Sequence, residues 1–288
     1  MNYHCGNQNP ELREGLVAWL TWLHTHVGFD SWRFDFVRGF APHFVKQYIE
    51  DSLKDAKNSG INIGEYWTDG GPSELAYFVR GTSGTCMAFD FPLKGELHNA
   101  ITHMEYDHLA ARHDGKPPGL VGIMPESAVT FVENHDTGKP LCHWEFPQDR
   151  VMVGYAYILT HPGIPAIFYS HLFGDGESTS GPYSGELAEE IQALIQLRRN
   201  AKITNASIVR IIAAEQDMYE AVIDDKVTVK LGPRWDMGDR WPGDTEWEVA
   251  TCGLDYCIWA HKSLGITDTD TLLGEAQSAP TGADNIFI

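Results

Sequence analysis

Apolar residues recur along this chain with two periods, about three to four residues in some stretches and every second residue in others, and the two kinds of stretch take turns up to about Asn200. Asn9-Pro10 followed by Leu12, Leu16, Trp19, Leu20 and Leu23 supplies a cap, a proline for the first turn and an apolar stripe at helical spacing, and Gly28 ends that helix. From Gly28 to Phe36 the period drops to two. Trp32, Phe34 and Phe36 fall on one side of a buried strand, and Ser31, Arg33 and Asp35 fall on the other. Pro42 opens a second helix with Phe44, Val45, Tyr48, Ile49 and Leu53 inward, closed by Ser59-Gly60. Ile61 to Trp67 reads as the next strand, with Glu65 near its C-terminal end.

The alternation continues through a strand from Met87 to Phe91, a helix near Leu97 to Leu109, and a strand from Ala128 to Val132 that runs into Glu133-Asn134-His135-Asp136. An apolar helix from Arg150 to Thr160 is stopped by His161-Pro162-Gly163, and Ile164 to Tyr169 reads as a buried strand before a last helix from Glu186 to Arg199. Repeated βα units with polar groups at strand C-termini predict a parallel α/β architecture of the TIM-barrel type over residues 1–200, although about five units are present where a barrel needs about eight. Beyond that point short strands replace the helices: Ser207 to Ala214, Met218 to Ile223, Lys226 to Leu231, Trp247 to Cys252 and Tyr256 to Lys262. Asp224-Asp225 and Leu254-Asp255 read as hairpin turns, so residues 201–262 form a small antiparallel β domain. Residues 263–288, rich in Thr, Asp, Gly, Ser and Ala, are expected to be a mobile tail.

Charge narrows the range of partners. Acidic residues outnumber basic ones by 40 to 21, for a net charge of -19, which argues against nucleic acid or an anionic membrane as partner and favours a neutral substrate. No apolar run approaches the roughly 20 residues of a bilayer span, and the start Met1-Asn2-Tyr3-His4-Cys5-Gly6 lacks the pattern of a secretory signal. The five cysteines, Cys5, Cys86, Cys142, Cys252 and Cys257, show neither zinc spacing nor a disulfide framework. Nine Trp and eleven Tyr could supply flat faces for sugar rings, though such residues are mostly core. Among the thirteen histidines there is no HExxH, and His103, His108 and His113 read as solvated helix or loop residues. Gly81-Thr82-Ser83-Gly84 lacks the spacing of a nucleophile elbow, and no phosphate-binding glycine loop follows a strand.

The chemistry that remains rests on carboxylates. Asp35, Glu65 and Asp136 each stand at or just past the C-terminal end of a different strand. In a barrel those ends converge, and retaining glycoside hydrolysis needs two flanking carboxyl groups, one as nucleophile and one as proton donor and later base. A third can stabilise the transition state by charge and hydrogen bonding, and Arg33 on the face of Asp35 would pair with it.

These segments resemble the plant-type alpha-amylases of the large retaining alpha-glucan-hydrolase family. Gly28-Phe29-Asp30-Ser31-Trp32-Arg33-Phe34-Asp35-Phe36-Val37-Arg38-Gly39 is similar to the family's nucleophile segment, Gly64-Glu65-Tyr66-Trp67 to its proton-donor strand, and Phe131-Val132-Glu133-Asn134-His135-Asp136-Thr137-Gly138 to its third motif. Further likeness runs through Met152 to Gly163 and Val227 to Arg234, so that it covers about Asn9 to Lys262. The resemblance implies the C-terminal part of a (β/α)8 barrel followed by an antiparallel β domain. It makes Asp35 the nucleophile, Glu65 the acid/base and Asp136 the transition-state stabiliser. Arg33 and His135 would contact sugar, Trp67 would form an aromatic platform, Arg38 and Lys94 would line the groove, and the Gly39 carbonyl would help bind a structural calcium. Starch or maltooligosaccharide is the implied substrate, cut at internal alpha-1,4 bonds. The family pattern also has three earlier strands and a protruding calcium-binding domain ahead of Met1, so self-association through an open barrel edge is expected. Glu133 stands where the plant pattern has Asp, and Lys139 where it has Ser or Thr; both changes look tolerable because neither residue carries the reaction. The competing readings are a glucan- or partner-binding remnant without catalysis and a transglycosylase of the same family. Tyr219, in a region where some relatives add a surface sugar site, reads as a packed strand residue.

Overall fold

A computed structural model describes residues 9–56, 60–110 and 116–265. Cys5, Ser59, His113 and the tail beyond Gly265 lie outside the described residues. Five short strands, β1 (Arg33–Phe34), β2 (Ile63–Gly64), β3 (Met87–Phe89), β4 (Ala128–Phe131) and β5 (Ile164–Ala166), form one parallel sheet in sequence order. They alternate with helices α1 (Pro10–Trp22), α2 (Pro42–Ser52), α3 (Pro72–Gly81), α4 (Phe91–His103), α5 (Val151–Thr160), α6 (Tyr169–Phe173) and α7 (Ala188–Ala201). The expected five βα units are therefore present, as the C-terminal part of a barrel. A second, antiparallel sheet of β6 (Val209–Glu215), β7 (Met218–Ile223), β8 (Val227–Leu231), β9 (Trp247–Gly253) and β10 (Tyr256–His261) follows in the order β6-β7-β8-β10-β9. Asp224 and Asp225 both take the left-handed conformation that a tight two-residue hairpin turn requires. No helix among the described residues is long and apolar enough to cross a membrane.

Several boundaries move, each for a local reason. The strand read from Gly28 to Phe36 is paired only at Arg33 and Phe34, because β1 is an edge strand and Phe36, at φ 46°, turns the chain away. The helix expected near Leu97 to Leu109 instead begins at Phe91, where the Asp90 side chain accepts from the Leu93 N–H and a proline occupies the first turn. It ends at His103, and Tyr106–Leu109 is a separate 3-10 turn. Strand β5 stops at Ala166, and Tyr169 belongs to α6 instead. The stripe on α1 is not buried: this helix packs on α2 and leaves Leu12 and Trp19 exposed.

The core centres on α5, whose ten residues are all buried. Its sequence is apolar all round, as a helix enclosed on every side must be. It packs on β4 and α7 on one side and on β8 and β10 on the other. Tyr219, Ala221 and Ile223 of β7 and Val229 and Leu231 of β8 belong to the same apolar cluster as α5. Tyr219 is thus a packed strand residue, and its hydroxyl lies 2.8 Å from His161 Nε2. His161 also stacks on Tyr157 at 3.8 Å between ring centroids, and burial pushes its imidazole down to about 3. The buried C-terminus of α5 leaves carbonyls that need donors. Arg198 of α7 supplies them, donating to the carbonyl oxygens of Leu159 (3.1 Å), His161 (2.7 Å) and Gly163 (2.8 Å).

The outer face of the antiparallel sheet carries a smaller cluster of Ala213, Met218, Met237, Cys257 and Trp259. Cys252 and Cys257 face each other across the β9–β10 hairpin and form a disulfide, a pairing that the dispersed spacing of the cysteines did not suggest. On the same sheet Glu220 is buried opposite Lys230, with one carboxylate oxygen unpartnered, and burial pushes its carboxyl up to about 7. That value lies above the unfolded value of about 4.3, so the stability contributed by the protonated form is complete below about pH 4 and is lost as the pH rises through 7. Glutamine does not titrate. Glu220→Gln is expected to match the parent near pH 4 and to exceed it by up to about 3 kcal/mol at pH 8. Thermal melts at the two pH values check this, and a difference that stays constant with pH would remove Glu220 as the titrating group.

Candidate active site

The register of β1 on β2 builds the centre of the site. Phe34 pairs with Gly64, which brings the residues just past the two strands side by side. Gly64 is required there, since a Cβ would come within 2.7 Å of the Phe78 ring. Arg33 then reaches two carboxylates with one guanidinium: Nη1 donates to Asp35 Oδ1 at 2.5 Å and Nη2 to Glu65 Oε1 at 2.7 Å. The other oxygen of Glu65 accepts from the Phe36 N–H at 3.2 Å. Burial separates the two acids, because Glu65 is enclosed while the Asp35 side chain is 78% exposed. Arg33 and Asp35 pair as expected but not in a buried strand, because β1 is an exposed edge: Arg33 is exposed, Asp35 faces outward, and of the two carboxylates only Glu65 is enclosed.

Asp136 stands past β4, at the same end of the parallel sheet. Its turn is fixed by Asn134, whose Oδ1 accepts from the N–H groups of Asp136 (3.0 Å) and Thr137 (2.9 Å). His135 Nε2 lies 3.5 Å from Asp136 Oδ2. The structure therefore gathers Arg33, Asp35 and Glu65 into one hydrogen-bonded set and holds His135 and Asp136 as a second pair two strands away.

Of the remaining expected residues, Trp67 is half-buried with its ring 4.3 Å from Phe91, which in turn packs edge-on against Phe131 of β4 at 5.0 Å. Arg38 is exposed and paired with Asp69 at 2.9 Å, joining the loops that follow β1 and β2. Lys94 requires a correction, because it does not line a groove. It is fully buried, its Nζ donates to the Trp144 carbonyl at 2.8 Å and lies 4.3 Å from that ring, and burial pushes its ammonium down to about 8.

Gly39 closes a 3-10 turn, Val37–Gly39. Calcium takes about six to eight oxygen ligands. Among the described residues no three His, Cys, Asp or Glu side chains gather where they could hold a metal ion. One glycine carbonyl is a single ligand, so the described residues do not by themselves complete a calcium site.

Sequence reasoning passed over Glu133, which it treated as a tolerable change. Its side chain is completely buried and engages both oxygens, with the Phe146 N–H (2.5 Å), His171 Nε2 (3.1 Å) and the Tyr183 hydroxyl (2.7 Å). Two of these partners lie 38 and 50 residues away in sequence, and no local pattern announces them.

A family model described as the alpha-amylase C-terminal beta-sheet domain matches residues 200–260, the span of the antiparallel sheet. The alpha-amylase type B isozyme of Hordeum vulgare is 50% identical over 146 residues, which make up 51% of this chain and 88% of that protein. The chain belongs to the alpha-amylase family. Alpha-amylase 3, chloroplastic, of Arabidopsis thaliana is 42% identical over 86% of the chain, and probable alpha-amylase 2 of the same plant is 38% identical over 87%. This family member spans only 27% and 59% of the length of those two relatives. The solved alpha-amylase of Anoxybacillus superposes with a TM-score of 0.62 at 17% identity, covering 89% of this chain and 64% of that one, which supports the alpha-amylase fold.

Proposed function

We propose that this chain carries the reacting half of an alpha-amylase and hydrolyses internal alpha-1,4 bonds of starch-like glucans with retention of configuration. The observation that carries the reading is the single Arg33 guanidinium shared by Asp35 and Glu65 at the ends of adjacent parallel strands. Two carboxylates on one guanidinium are close neighbours, as a double displacement requires at about 5–5.5 Å. In the first step an Asp35 oxygen attacks the anomeric carbon, the glycosidic bond breaks, and a proton from Glu65 goes to the leaving oxygen. In the second, Glu65 takes a proton from water, whose oxygen attacks the same carbon and releases Asp35. Exposure of Asp35 suits a group that must meet a polymeric substrate, while enclosure of Glu65 holds the acid in one orientation. Asp136 and His135 would hydrogen-bond sugar hydroxyls as charge develops, and Trp67 offers a stacking face, with Arg38 beside the groove.

The reading extends to association between copies. Among the described residues β1 is paired only with β2 and β5 only with β4. Phe29 and Phe36 beside β1, and Tyr169 and Phe173 beyond β5, are exposed. Unpaired parallel edges next to apolar surface favour a second copy as neighbour.

The test is the hydrolysis of maltoheptaose followed by proton NMR, with light scattering at each chain concentration. Fresh product in the alpha configuration, from a species larger than one chain, is expected. Initial beta product would overturn retention, and products longer than the substrate would assign transfer to sugar rather than water. Binding without turnover would replace hydrolysis by the glucan-binding reading.

A further inference from the structure

Asp136 sits on a turn whose underside is a buried polar network, and this network has no part in the reaction as described. The turn from Asn134 to Gly138 lies directly on Glu133: a Cβ at Gly138 would stand 2.5 Å from Glu133 Oε2 and 2.9 Å from the Tyr183 hydroxyl. Glycine at 138 lets the backbone descend onto the carboxylate. Each of the Glu133 contacts comes from a different later segment. Phe146 lies in the loop before α5, His171 is in α6, and Tyr183 is in the loop before α7. Behind His171, Nδ1 is 2.8 Å from the Tyr155 hydroxyl of α5, which accepts from the Phe168 N–H. Burial, and then the bond to Glu133, hold the Tyr183 phenol in its protonated, donating form.

Positive charge is close by. Lys94 interacts electrostatically with Glu133, and its ammonium holds the Trp144 carbonyl. The Trp144 N–H donates to the Thr137 carbonyl at 3.2 Å and the His143 N–H to the Asp136 carbonyl at 2.9 Å, so this loop clamps the turn from outside while Glu133 supports it from below. A carboxylate taken out of water costs several kcal/mol unless its lone pairs are filled. Here three donors converge on it, and the element that rests on it is the one bearing Asp136 and His135.

We infer that Glu133 is a positioning residue, which with His171 and Tyr183 sets the place of the Asn134–Gly138 turn and therefore of Asp136. The inference deepens the proposed hydrolase reading and rests on it for the role of Asp136, but the support given to the turn can be measured without turnover.

The experiment compares the parent chain with Tyr183→Phe, which deletes one hydroxyl, and Glu133→Gln, which keeps the shape. Hydrogen exchange is read at the Asp136 and Thr137 amides, which donate to Asn134 Oδ1. Exchange there is expected to speed up by about tenfold or more in both variants, the worth of one hydrogen bond to a charged group, while amides of β7 and β8 keep the parent rate. On maltoheptaose, kcat is expected to fall by about tenfold with KM within about twofold, the pattern of a misplaced transition-state contact. Unchanged exchange at both amides, or acceleration shared equally by β7 and β8, overturns the inference, as does a rise in KM at constant kcat. A parent chain without turnover would instead overturn the hydrolase reading, and the exchange rates alone would then decide the inference.

Discussion

Asp35→Asn is expected to leave the chain folded and to lower hydrolysis of maltooligosaccharides by on the order of 10⁴-fold or more, the cost of removing the proposed nucleophile from an otherwise intact site. Exposure is what makes this a clean experiment. The Asp35 side chain is 78% exposed and its ion-pair partner is Arg33, which keeps Glu65 as its second partner. A substitution at such a position changes stability by about 0.5 kcal/mol or less. Activity and melting temperature measured on the same preparation therefore separate chemistry from folding. Residual turnover within about tenfold of the parent would remove Asp35 from the nucleophile role.

Arg198→Met is expected to act in the opposite sense, leaving the carboxylates in place and costing about 4 kcal/mol or more of stability. Three buried carbonyls, of Leu159, His161 and Gly163, would lose their donor together. Each buried group left without a partner costs about 1–3 kcal/mol. Methionine fills most of the space but donates nothing. Arg198→Lys should recover only part of the loss, because one ammonium cannot span three acceptors arranged around a planar fork. Urea unfolding of the three proteins reads the difference. A loss of less than about 1 kcal/mol for the methionine variant would mean that water replaces the guanidinium at the end of α5.

The order of elements was legible because period and punctuation agree along most of the chain. The hairpin turns at Asp224-Asp225 and Leu254-Asp255 bound strands of the antiparallel sheet, and β7, read as Met218 to Ile223 just ahead of the first turn, has both its ends correct. Strand lengths in the parallel sheet were less legible. Alternation from Trp32 to Phe36 persists after pairing ends, since pairing depends on a neighbour thirty residues on rather than on the local pattern. For α4 the apolar spacing near Leu97 outweighed the start signal in Asp90-Phe91-Pro92, although that signal was present.

In the candidate site, carboxylates at strand ends stood out, and so did the pairing of Arg33 with Asp35, two residues apart. The second arm of Arg33 did not, because contact with Glu65 follows from the register of β1 on β2. Lys94 misled for a similar reason. The resemblance placed it at the groove, and only the Trp144 loop, 50 residues later, closes over it. The disulfide needed the hairpin register that sets Cys252 opposite Cys257.

The apolar cluster around α5 runs without a break from the parallel sheet into the antiparallel one, and Arg198, His161 and Tyr219 cross the same seam. An engineer who wished to exchange this β-sheet between barrels would find no clean cut at the end of α7. The transferable module is the antiparallel sheet together with α5 and α7, and a chimera that joined the sheet alone to a foreign helix pair would have to redesign both sides of one continuous interior.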